Sequence, residues 1–204
     1  MSRTTVTRRG ALRILGAGAG SVAVWPWLSE EGASAFAEIQ RKGGAPVLKV
    51  LTAAQYATLV ALTEAIIPAD ERSPGAREAR VADYIDLILS EADDKLRKEW
   101  TDGIAALDAD AVARAGVPFA RLDPQQTWSV LIDASRDEKV REGKTPVQKF
   151  FITAKQATIH GYYTSEIGIH KDLRYKGNQL LADFVGCLTE DGRDCPHCGR
   201  KARS

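Results

Sequence analysis

The sequence is poor in sulfur and close to electroneutral. Its three cysteines, Cys187, Cys195 and Cys198, all fall within the last 18 residues, and it contains a single methionine. Thiol chemistry is therefore confined to a C-terminal tail. Basic residues number 28 and acidic residues 27; residues 36–204 hold 24 and 25 of them. That balance gives no bulk attraction for nucleic acid or anionic lipid, so no nucleic-acid partner is expected. A G-x-S-x-G elbow, an H-E-x-x-H helix, an EF-hand loop and a G-x-x-x-x-G-K-[ST] phosphate loop are all missing. Gly16, Gly18 and Gly20 do not make G-x-G-x-x-G, and no strand precedes them. No alternating apolar run is long enough for a sheet. Hydrophobic residues nevertheless make up 44% of the chain, enough for a real core.

The N-terminus carries the first positive signal. Thr7-Arg8-Arg9-Gly10-Ala11-Leu12-Arg13 places paired arginines just ahead of an apolar stretch through Leu12, Ile14, Leu15, Val22, Val24 and Trp25, and no acid precedes it. This resembles a twin-arginine export signal, an address read by the twin-arginine translocase on a precursor that crosses the membrane already folded. Arg8 and Arg9 are its reading residues, although Ala11 stands where a bulky residue is usual. Ala33-Ser34-Ala35 offers an Ala-x-Ala cleavage site, so residues 1–35 are expected as signal and 36–204 as the mature domain. Two other readings remain open: a retained anchor over Leu12–Leu28, and a helix of the domain itself, which the glycines disfavour.

The mature part reads as helices. Residues 36–50 look like a glycine-containing leader over the surface. Thr52-Ala53-Ala54-Gln55 has capping-box spacing, Tyr56, Leu59, Val60, Thr63, Ile66 and Ile67 follow at helical intervals, and Pro68 ends the run. Val81, Tyr84, Ile85, Ile88 and Leu89 predict a helix over 77–89 with one face on the core. Leu96, Trp100, Ile104 and Leu107 predict another over 92–108. Asp123-Pro124 and Thr145-Pro146 each pair a capping side chain with proline at the first helical position. The second of these helices is expected to reach His160, and a last short one to span 179–184. The fold class expected is all-α: a single irregular helical bundle with long loops, preceded by the signal segment.

Candidate chemistry is sparse. Cys195-Pro196-His197-Cys198 is C-x-x-C, a pairing used by periplasmic thiol oxidants, but it stands seven residues from the chain end with no strand before it. Gly199 occupies the position where covalent haem attachment needs histidine. Cys187, Cys195 and Cys198 can supply a disulfide with one thiol over, or, with His197, a crowded metal site. A standalone periplasmic thiol-redox or metal-binding protein is thus the alternative to an accessory role. His160 and His170 flank Gly161-Tyr162-Tyr163-Thr164-Ser165-Glu166-Ile167-Gly168, where Glu166 is a candidate acid–base partner without an activated nucleophile. The same block also reads as tyrosines packing across a turn, or as an interface.

This block, with Leu173-Arg174-Tyr175-Lys176-Gly177-Asn178 and Gly186-Cys187 after it, resembles the C-terminal signature of the gluconate 2-dehydrogenase subunit 3 family. Leu51-Thr52-Ala53-Ala54-Gln55 and Ile66-Ile67-Pro68-Ala69-Asp70, followed by Ser73-Pro74-Gly75-Ala76, resemble its earlier part. The resemblance implies a small, non-catalytic subunit that stabilises a large dehydrogenase subunit and escorts it across the membrane. The large partner is an FAD flavoprotein of the glucose-methanol-choline type acting on sugars, sugar acids or polyols. A cytochrome c subunit, haem c or an iron–sulfur cluster belongs elsewhere in such a complex, and no cofactor belongs to this chain. The expected location is the periplasm, at the outer face of the cytoplasmic membrane. Tyr162, Tyr163, Thr164, Ser165, Glu166, Tyr175 and Asn178 are then structural or interface residues, and Cys187 is the choice for an intersubunit disulfide.

Overall fold

The computed structural model describes residues 28–136, 143–175 and 177. Among them the chain is an all-helical bundle with long connections and no strand. It comprises α1 (Glu30–Lys42), α2 (Ala53–Ile66), α3 (Val81–Glu91), α4 (Asp94–Ala115), a short 3-10 turn (Phe119–Arg121), α5 (Pro124–Ala134), α6 (Pro146–Tyr163) and a π-helical turn (Ile167–Asp172). The expected helix over 179–184 lies outside the described residues.

Local chemistry sets three helix starts where the sequence predicts them. In α2 the Thr52 hydroxyl accepts the Gln55 N–H while Gln55 Oε1 accepts the Thr52 N–H. Asp123 with Gln126 and Thr145 with Gln148 repeat the device at α5 and α6. Each reciprocal pair satisfies two orphan donors. Thr145 is also the third residue of Gly143-Lys144-Thr145, the end of a phosphate-loop pattern. Glu138 stands where that pattern needs its first glycine, and the Thr145 hydroxyl is engaged in the cap.

Other boundaries differ from expectation. The helix predicted from residue 77 begins at Val81, because Arg80 is left-handed (φ 58°) and a helix cannot run through it. Arg80 is held there by its own side chain: Nε and Nη2 donate to Asp83, and Nη1 donates to the Gly44 carbonyl. Instead of burying one face, α3 is buried continuously from Val81 to Leu89. Its two acids stay buried because each is satisfied: Asp83 takes Arg80 and the Tyr56 hydroxyl, and Asp86 takes the backbone N–H groups of Lys49, Val50 and Leu51. The α4 helix runs to Ala115 and stops at left-handed Gly116, past the expected residue 108.

The largest departure is α1. Residues 30–42, expected in part as signal and in part as surface leader, form a helix whose Phe36 is buried against Tyr84 of α3, with ring centroids 5.2 Å apart. At the centre of the bundle, α6 touches α2, α3, α4, α5 and the π-turn. Two glycines let it approach its neighbours. A Cβ on Gly103 of α4 would stand 2.2 Å from the Phe150 ring, and one on Gly161 would stand 2.6 Å from Tyr84.

Candidate interface at the end of the long C-terminal helix

The junction between α6 and the π-turn holds Tyr162, Tyr163, Thr164, Ser165 and Glu166, most of the described residues singled out by sequence. Tyr162 is fully buried, and its hydroxyl donates to the Pro74 carbonyl at 2.8 Å. With that proton committed, the phenolic oxygen accepts from Ser73 Oγ, also at 2.8 Å. The receiving loop is itself organised: Asp70 Oδ1 accepts the N–H groups of Arg72 and Ser73. Two turns 89 residues apart in the chain are thus tied through one hydroxyl.

Ser165 is equally buried and redirects the chain. Its Oγ donates to the Tyr162 carbonyl at 2.6 Å and accepts from Gly168 N–H at 3.0 Å. Gly168 packs so tightly that a Cβ there would meet the Tyr162 carbonyl oxygen at 2.0 Å. Tyr162, Ser165 and Gly168 are therefore the inner, structural half of the block.

The outer half faces solvent. Thr164 and Glu166 are exposed, Tyr163 is half-buried with its ring edge-on to Tyr162, and Leu173 and Tyr175 are 58% and 49% exposed. Leu173 lies in the family-like block but is not among the interface candidates read from sequence; its spacing from the buried positions carries no signal because the α-helical period ends at Thr164. Asn178, the cysteines Cys187, Cys195 and Cys198, and the Arg8-Arg9 pair lie outside the described residues.

The histidines separate. His160 Nδ1 is hydrogen-bonded to the Tyr84 hydroxyl, and burial lowers its pKa below the usual imidazole value. His170 and Glu166 are exposed, and no hydrogen bond or ion pair joins Glu166 to either histidine among the described residues. An acid–base constellation is thus not assembled here. Likewise, among the described residues no group of three or more His, Cys, Asp or Glu is placed to hold a metal ion. No described helix is long and apolar enough to cross a membrane.

A shallow cavity of about 240 Å³ lies between Pro46, Tyr56, Val60, Arg77, Arg80, Ala82 and Asp83. It is smaller than the several hundred Å³ typical of small-molecule sites. Its phenol is unsuited to act as a base, because burial and then the Asp83 charge raise the Tyr56 pKa well above the ordinary value. Neither its size nor its lining suits a flavin dinucleotide, which needs a glycine-rich turn against its pyrophosphate.

Comparison with known proteins adds one finding. The family described as Gluconate 2-dehydrogenase subunit 3 matches residues 53–179, from the first residue of α2 through the tyrosine block. No curated protein and no solved structure matches the chain. A match over more than half the chain, covering both the capped α2 helix and the α6–π-turn junction, shows that the chain belongs to the gluconate 2-dehydrogenase subunit 3 family, whose members are small subunits of dehydrogenase complexes.

Proposed function

We propose that this chain is the non-catalytic small subunit of an FAD-dependent, glucose-methanol-choline type dehydrogenase of sugars, sugar acids or polyols. It stabilises the flavoprotein and escorts it through twin-arginine export to the periplasmic face of the cytoplasmic membrane. The family match over residues 53–179 carries this reading. Hydride transfer to flavin belongs to the partner, which supplies both cofactor and substrate pocket. This chain supplies a docking face: Thr164, Glu166, Leu173 and Tyr175, with Tyr163 at its edge, presented on the rigid base of Tyr162 and Ser165. An aromatic and an aliphatic side chain beside polar groups is the make-up of an interface hot spot. Cys187 is the proposed intersubunit disulfide partner, and electrons leave the complex through a cytochrome c subunit or directly to the respiratory chain.

The test is co-expression with the flavoprotein partner. Full-length chain should place active flavoprotein in the periplasm, and Arg8→Lys with Arg9→Lys should leave both proteins inside. Flavoprotein that is exported, folded and active without this chain would overturn the escort role. Non-reducing gels of wild type and Cys187→Ser test the disulfide, which falls if the high-mass band is the same in both.

A further inference from the structure

The Ala33-Ser34-Ala35 motif sits in a place where a signal peptidase cannot easily use it. Such an enzyme reads small residues in extended backbone, yet all three are helical, with the Ala33 N–H already donating to the Ser29 carbonyl at 2.8 Å. The helix is also fastened at both ends. Ser29 gives its N–H and its hydroxyl to the two oxygens of Glu91, at 2.9 and 2.6 Å, while the same Oγ caps Gly32 N–H. Near the other end, Gln40 Nε2 donates to the Ala79 carbonyl. Gly32 is pressed against the clamp: a Cβ there would stand 2.4 Å from Glu91 Oε1 and 3.0 Å from the Leu28 side chain.

A cut after Ala35 would have three costs. It would remove the cap and the first six residues of a 13-residue helix, leaving a remnant too short to nucleate alone. It would release Glu91 from both hydrogen bonds. It would also create a charged ammonium on Phe36, a residue only 5% exposed and packed on Tyr84, where an unpaired charge is strongly disfavoured. On the export reading above, on which this step rests, the precursor is folded before translocation, so the peptidase meets α1 already docked.

We infer that Ala33-Ser34-Ala35 is not a processing site, and that residues from Ser29 onward belong to the mature domain. Any cut that removes the export signal then falls before Ser29, ahead of α1.

The test is the intact mass of the full-length chain recovered from the exported, membrane-bound complex. The expected N-terminus lies before Ser29, and Ala33→Leu, a change at an exposed position, leaves that N-terminus where it is. A wild-type chain beginning at Phe36, restored to the longer form by Ala33→Leu, would overturn the inference. Undocking gives the converse arm: Glu91→Ala combined with Phe36→Ala should yield a chain that begins at position 36, and its continued absence would show that docking is not the protection. Hydrogen exchange on the full-length chain separates this inference from the export reading. Amides of 33–42 exchanging well below the unprotected rate support docking even where export fails; amides exchanging at the unprotected rate sink it.

Discussion

Tyr84 stands between two helices that hold it in different ways. On one side α6 approaches through Gly161, so close that only a hydrogen fits, and sets His160 5.7 Å from the phenol ring. On the other, α1 reaches it with the Phe36 ring, rests half-buried Ala35 and Ile39 on the core, and is tied by hydrogen bonds at its ends. Backbone proximity makes α6 part of the core: removing it would strip a packed face from α2, α3, α4 and α5 together. Side-chain attachment makes α1 a clasp, which can detach while the rest stays folded.

The sharpest way to break this comparison is to truncate one buried ring on each helix. Phe151→Ala on α6 should cost about 3–5 kcal/mol and shift the whole urea transition. Phe36→Ala should instead raise hydrogen exchange across 33–42 with a smaller shift of the global midpoint. Equal global losses would show that α1 is as integral as α6.

The inner and outer halves of the tyrosine block allow a second contrast. Tyr162→Phe removes the buried hydroxyl that bonds both Ser73 Oγ and the Pro74 carbonyl, an expected loss of about 1–3 kcal/mol in denaturant. Leu173→Asp, on the exposed face, should change stability by less than about 0.5 kcal/mol. It should weaken flavoprotein binding about tenfold or more, equivalent to about 1.4 kcal/mol, as read by titration calorimetry. Unchanged binding would place the docking surface elsewhere.

The smallest effect expected is a pH dependence. His160 has its pKa lowered by burial in the folded state, from an ordinary value of 6.5. Below that pH the unfolded chain binds the proton more readily, so this contribution to stability is present above pH 6.5 and is lost as the pH falls. Denaturation midpoints at pH 5.5 and 7.5 should differ less in His160→Gln than in wild type.

What was legible in the sequence was local. Thr52 with Gln55, Asp123 with Gln126 and Thr145 with Gln148 announce helix starts because both partners lie within one turn. The α1 helix was invisible for the opposite reason: its cap residue is clamped by a glutamate 62 positions away, and only one large side chain of its own is fully covered. The displaced start of α3 follows from Arg80, whose left-handed backbone is supported by Gly44, 36 positions earlier. Family resemblance picked out the tyrosine block as a unit. Its division into buried Tyr162 and Ser165 and exposed Thr164 and Glu166 depends on where α6 gives way to the π-turn, which no periodicity marks.

The connection between α1 and α2 has a mechanical meaning. It is fastened to α3 twice, by Arg80 at Gly44 and by the Asp86 carboxylate at three successive backbone N–H groups. The Glu91 clamp on Ser29 adds a third fixing on the same helix. Any pull arriving from the N-terminal side is therefore taken up in sequence along the most deeply buried helix of the bundle. The α2 helix lies beyond the last fixing and is relieved of the load, as wiring is behind a cable grip.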